Sequence, residues 1–118
     1  MKSEDRIRRV HAIVSNQGDY FVAMCPELNL VATSRTTPDE AVEDLITVCV
    51  EHIGFSFESG YEWTDIAVPL ADEIQELLAK VTPNSTRTVV VNIDNSEHPN
   101  DLDVEMDRVE VGLVAAHA

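Results

Sequence analysis

Residues 24–45, MCPELNLVATSRTTPDEAVEDL, decide the fold. Proline has no amide to donate into a ladder, so Pro26 separates an arriving strand, Tyr20 to Cys25, from a departing one, Leu30 to Ser34. Thr37-Pro38-Asp39-Glu40 then opens a helix. Thr37 caps the free amides, Pro38 suits the first helical position, and Glu40 completes a capping box. The Asp39 and Glu40 charges also sit at the positive end of the helix dipole.

Toward the N-terminus, Arg6 to Ser15 alternates Val10, Ala12 and Val14 with Arg9, His11 and Ile13, the period of a strand. Asn16-Gln17-Gly18-Asp19 supplies turn residues, so this strand and Tyr20 to Cys25 form a hairpin. Placing Ser15 opposite Tyr20 puts Val14 against Phe21, Ala12 against Ala23 and Val10 against Cys25, giving one wholly apolar face. Toward the C-terminus, the helix is expected to reach about Ile53 and stop at Gly54. Glu40, Glu43, Asp44, Thr47 and Glu51 share one side of it, and the apolar residues cover an arc of roughly 200°. That arc is wider than one sheet contact needs, so the tail or a second copy of the chain is expected to cover the excess.

The next stretch, FSFESGYEW at 55–63, holds four of the six aromatic residues. It is expected to be a tight hairpin or loop with its rings on the core; the sharper alternative is an exposed aromatic anchor. Thr64 to Val68 reads as a short strand and Pro69 to Val81 as a helix with Ile74, Leu77, Leu78 and Val81 on one stripe. Arg87 to Ile93 reads as a strand buried on both sides, and Asp94 to Asp101 as a polar turn region. The last strand changes apolar parity from Leu102, Val104 and Met106 to Val109, Val111 and Leu113, which predicts a bulge near Asp107-Arg108. The expected class is α+β. Residues 1–54 form an antiparallel three-stranded sheet with one packed helix. Residues 55–118 form an extension, with a helix at about 69–81 and strands at about 87–93 and 102–114, on the same core.

A chain of 118 residues with 44% hydrophobic content can bury one core. Its apolar runs fall far short of the roughly 20 residues that span a bilayer, and Met1 to Arg9 lacks the apolar segment of a signal peptide. No membrane association and a cytoplasmic location are expected. The net charge is −14, from 22 acidic and 8 basic residues. Such a surface repels phosphate, and the one basic cluster, Lys2, Arg6, Arg8 and Arg9, is partly offset by Glu4 and Asp5. Nucleic-acid binding by this chain alone is therefore not expected. A basic protein partner fits the acidic field, and so does a purely solubilising role in a salty cytoplasm.

Chemistry-bearing patterns are absent. Cys25 and Cys49 lack CxxC spacing and read as buried small hydrophobes. Asp101, Asp103, Glu105 and Asp107 line one strand face, read here as solvated, without the spacing of a calcium loop. His11, His52, His98 and His117 are scattered, and no GxSxG, Walker or dinucleotide motif occurs. No catalytic residue, metal or cofactor is expected, and the chain reads as a non-enzyme.

The segment YFVAMCPELNLVATSRTTPDEAVEDLITVCVEHI, within residues 6–54, resembles the HicB-like antitoxin family. Pro26, Glu27 and Leu28 match its strand-ending element, Thr33 its strand threonine, and Thr37, Asp39, Glu40 and Ala41 its helix opening. Asn29-Leu30-Val31 stands where many members carry Pro-Gly-Cys, and the tail shows neither a helix-turn-helix nor a ribbon-helix-helix pattern. The resemblance implies a partial ribonuclease H-like fold that assembles as dimers or tetramers and neutralises a small basic ribonuclease of the HicA type. Arg6 to Ser15 lacks the metal-holding carboxylates that ribonuclease H chemistry needs. The candidate partner-binding residues are the acidic Glu27, Asp39, Glu43, Asp44 and Glu51, with Tyr61 and Trp63 as anchors. The alternative is a self-assembling protein with a small-ligand or structural function and no toxin partner.

Overall fold

The turn after the first strand sets the register of everything that follows. In the computed structural model, which describes residues 7–93 and 101–111, Asn16 pairs with Phe21 and closes a loop of residues 17–20. Gln17 donates its amide to the Tyr20 carbonyl, and Asn16 Oδ1 accepts from Gly18, whose φ of 100° suits a residue without a Cβ. Val14 therefore faces Ala23 rather than Phe21. The register differs from the expected one by two residues. A shift of two preserves the alternation, so the apolar face survives intact.

Eight elements follow in order: β1 (Ile7–Asn16), β2 (Phe21–Cys25), β3 (Leu30–Ser34), α1 (Pro38–Glu58), α2 (Trp63–Ile66), α3 (Asp72–Lys80), β4 (Ser85–Asn92) and β5 (Asp101–Glu110). The class is α+β as expected, but the sheet is five-stranded and mixed, in the order β3-β2-β1-β5-β4. β5 runs parallel to β1, and β4 antiparallel to β5. Only one side of β1 is paired by β2, and its buried Val10, Ala12 and Val14 need apolar neighbours on both sides. Leu102, Val104 and Met106 of β5 and Val91 of β4 supply them in the same core cluster.

α1 buries Ala41, Val42, Leu45, Ile46, Cys49 and Ile53 against this face. Thr37 Oγ1 accepts the Glu40 amide at 3.0 Å, as a cap should. Glu40 does not complete the expected box: its carboxylate accepts the buried Ser34 hydroxyl at 2.6 Å, which ties the helix start to β3. The helix also runs through Gly54 to Glu58, so the expected stop is overturned. Gly54 is buried where α1 crosses β4, and a Cβ there would lie 3.9 Å from the Asn92 carbonyl oxygen and Val91 Cγ1, ordinary contact distances. Gly54→Ala is thus expected to stabilise the fold by about 0.5–1 kcal/mol in urea denaturation, because glycine inside a helix costs that much relative to alanine. A helix-terminating glycine would give the opposite sign.

Three further expectations change. The strand expected at 64–68 is the helical turn α2. The Val68 amide donates to the Glu27 carbonyl at 2.7 Å, so this segment is pinned to the β2–β3 turn and joins no ladder. The helix expected from Pro69 begins only at Asp72, with Ile74, Leu77 and Leu78 half-buried. β4 is an edge strand, buried at Val91 but with Val90 52% exposed, because only β5 flanks it.

No bulge interrupts β5, whose pairing runs unbroken along both neighbours. Leu102, Val104 and Met106 belong to the α1-side core, whereas Val109 is buried outside that cluster, its register partner being the buried Ile13. The parity change therefore moves the apolar burden from one sheet face to the other. The expected turn at 94–100, the strand end at 112–114, His98, His117, and Lys2 with Arg6 of the basic cluster lie outside the described residues. Among the described residues no helix is long and apolar enough to cross a membrane.

Candidate functional site

The helical repeat sorts the α1 carboxylates into two groups. Asp39 and Glu43 lie on the flank toward the sheet's far strands. Asp39 accepts from Arg108 of β5 at 2.7 Å, and Glu43 is paired with Arg87 of β4. Arg108 also pairs with Glu110 at 2.6 Å. Burial pulls the Arg108 guanidinium down, but its hydrogen bonds and charges with Asp39 and Glu110 outweigh that and hold it above its ordinary value. Each of these two helix carboxylates thus has a guanidinium partner on the sheet, Arg108 being shared with Glu110.

Asp44 and Glu51 face outward, exposed and without an ion pair among the described residues. Because α1 continues past Gly54, Phe55 and Glu58 join the same stripe at the spacing of successive turns, Asp44, Glu51, Phe55, Glu58. Phe55 is 71% exposed, the largest exposure among the large hydrophobic side chains of the described residues. Reading Gly54 as a stop hid both residues. The signal was present: no proline or run of turn residues separates Ile53 from Glu58.

Glu27 is not brought to this stripe. Its side chain is 13% exposed and sits at the β2–β3 turn, where β2 has ended and β1 still needs an acceptor. Glu27 Oε1 accepts the His11 amide at 2.9 Å, and Oε2 lies 2.5 Å from His11 Nδ1. The carboxylate thus stands in for a missing strand residue. Beyond His11, Asp107 is buried at 6% exposure, accepting from Thr86 Oγ1 at 2.7 Å and from Arg9 at 3.2 Å, while Arg9 also reaches Glu105 at 2.6 Å. The face expected to be solvated therefore encloses a carboxylate, balanced by a cation and a hydroxyl. His11 Nε2 stands 4.0 Å from Asp107 Oδ2, and the nearest thiol, Cys25, is fully buried. This arrangement satisfies groups within the sheet and presents no nucleophile to solvent.

The two expected anchors separate in role. Tyr61 is 57% exposed. Trp63 is half-buried against the core, with the Arg8 guanidinium carbon 5.9 Å from its ring centroid, a cation–π contact. Together with Phe57 and Glu62 they line an open cleft of about 410 Å³. Cys25 and Cys49 are both buried free thiols. The hydrogen bond between them, burial and the nearby Glu27 charge push the Cys25 thiol far up. Among the described residues no three His, Cys, Asp or Glu side chains gather to hold a metal ion.

No family model, curated protein or solved structure matches this chain.

Proposed function

We propose that this chain is a non-enzymatic binding module of the antitoxin type, or a stand-alone relative, that neutralises a small basic ribonuclease by covering it with the outer face of α1. The observation that carries this reading is the stripe Asp44, Glu51 and Glu58 around the exposed Phe55. Uncompensated carboxylates raise the encounter rate with a cationic surface, and an exposed aromatic ring supplies lasting affinity once desolvated. The order β3-β2-β1 with α1 across it supports a HicB-like, partial ribonuclease H-like arrangement, with β5 added beside β1. The reading places the protein in the cytoplasm and assigns it no nucleic-acid contact of its own. A small-ligand function is the second reading, favoured by the cleft beside Arg8, Tyr61 and Trp63.

The test is a comparison of baits expressed in the source cells. Wild type is expected to retain a small basic protein and to inhibit its ribonuclease activity. Combining Asp44→Lys, Glu51→Lys and Glu58→Lys is expected to weaken that complex about tenfold or more, given roughly 0.2–1 kcal/mol for each exposed charge contact and repulsion in place of each lost attraction. Phe55→Ala is expected to cost about 2 kcal/mol of binding, the scale of an anchor residue. Full retention by the charge-reversed bait contradicts the assignment.

A further inference from the structure

We infer that the outer edge of β4 receives an extended basic segment of a protein partner as a sixth strand, its side chains alternating between cationic and apolar. The Val111 amide donates to Val14 of β1, and the Glu110 amide to the Asn84 side chain, so even-numbered β5 residues turn toward β4. Their register partners Ser85, Arg87, Val89 and Val91 are committed to β5. The amides and carbonyls of Thr86, Thr88, Val90 and Asn92 therefore point outward, with no strand beside them among the described residues. An edge of this kind is normally guarded by proline, inward charge, a bulge or short length. β4 has eight residues with no proline, and its one charge, Arg87, is paired with Glu43.

Charge selects the occupant, and the strand behind the edge supplies it. The side chains of Thr88, Val90 and Asn92 share the outer sheet face with their register partners Glu105, Asp103 and Asp101 on β5. Glu105 is paired with Arg9, but Asp101 and Asp103 have no ion pair among the described residues. A residue opposite Val90 on an added strand lies on that same face, two strand spacings or about 10 Å from the β5 backbone. A lysine or arginine there, and another opposite Asn92, reaches the two aspartates over the short side chains of β4. On the α1 face the neighbours differ: Val89 and Val50 are half-buried at the margin of the core, and Arg87 repels a second cation. The intervening residues of the added strand are therefore apolar. β3, the other edge, has five residues, and the strand behind it, FVAMC, carries no carboxylate. The net charge of −14 draws such a basic segment in and repels an acidic one, a second copy of the chain included.

This edge is a different surface from the α1 stripe of Asp44, Glu51, Phe55 and Glu58, so it is tested on the free full chain, whatever α1 binds. The probe is a capped peptide alternating lysine with valine, titrated in while backbone amide hydrogen exchange is followed by nuclear magnetic resonance. The Thr88 and Val90 amides are expected to exchange at least about tenfold more slowly with the peptide bound, and added salt is expected to weaken binding. The same peptide with glutamate for lysine, or with its edge-facing amides N-methylated, is expected not to bind. Thr88→Pro removes an outward amide without touching the β5 ladder and is expected to abolish binding. Asp101→Asn combined with Asp103→Asn leaves the backbone whole and is expected to weaken binding about fivefold. Circular dichroism of both variants matching wild type excludes unfolding as the cause. No binding of the lysine peptide, protection that falls on β3 instead, equal binding of the glutamate or N-methylated peptide, or undiminished binding by the folded double variant overturns the proposal.

Discussion

Leu45→Ala is expected to lower the unfolding free energy by about 3–4 kcal/mol, the scale of a leucine truncated in a core that cannot collapse around the gap. Leu45 is fully buried at the middle of the α1 face, among the largest side chains with no exposure. The helix touches β1, β2, β3 and β4, so the sheet on several sides resists relaxing into the cavity. For a chain of this length the loss is a large share of a total of roughly 5–15 kcal/mol. Urea denaturation is expected to show an earlier midpoint with unchanged slope. A loss below about 1 kcal/mol would mean that α1 is loosely seated, since well-packed sites do not give that value.

Glu27→Ala is expected to cost about 2–3 kcal/mol, because it orphans a half-buried backbone donor and an imidazole nitrogen together. The residue stands in a turn, where a carboxylate ordinarily costs little to remove. Here it is the only described acceptor for the His11 amide. Glu27→Gln keeps one acceptor oxygen for that amide and is expected to lose only about half as much. The pair of variants separates this role from a partner-binding one. A docking carboxylate would leave stability untouched in both and weaken the complex, whereas the buried one changes the denaturation midpoint of the free chain.

The β1, β2, β3 and α1 unit was legible because its signals are local. Alternation at Val10, Ala12 and Val14 fixes a face, and Thr37-Pro38 fixes a helix start. The placement of β5 was not, because parallel pairing of β1 with β5 joins residues such as Arg9 and Asp107, 98 positions apart, and leaves no short-range trace. Gly54 was misread for a related reason. α1 runs on past it against β4, a tertiary contact with no local trace, while the sequence offers only the commoner reading of a helix end. The acidic stripe was half visible: Asp44 and Glu51 follow from the helical wheel, but Asp39 and Glu43 meet Arg108 and Arg87, which are distant in sequence. Glu27 carries the motif of the family resemblance, yet its carboxylate holds the sheet together.

The most direct measurement is carboxylate footprinting, by carbodiimide labelling and mass spectrometry, of the free chain and of the complex it captures in its own cells. Asp44, Glu51 and Glu58 are expected to label in the free chain and to be protected in the complex, while Asp72, Glu73 and Glu76 of α3 label equally in both. Equal labelling of the α1 stripe in the two states, or protection moved to α3, would contradict the account.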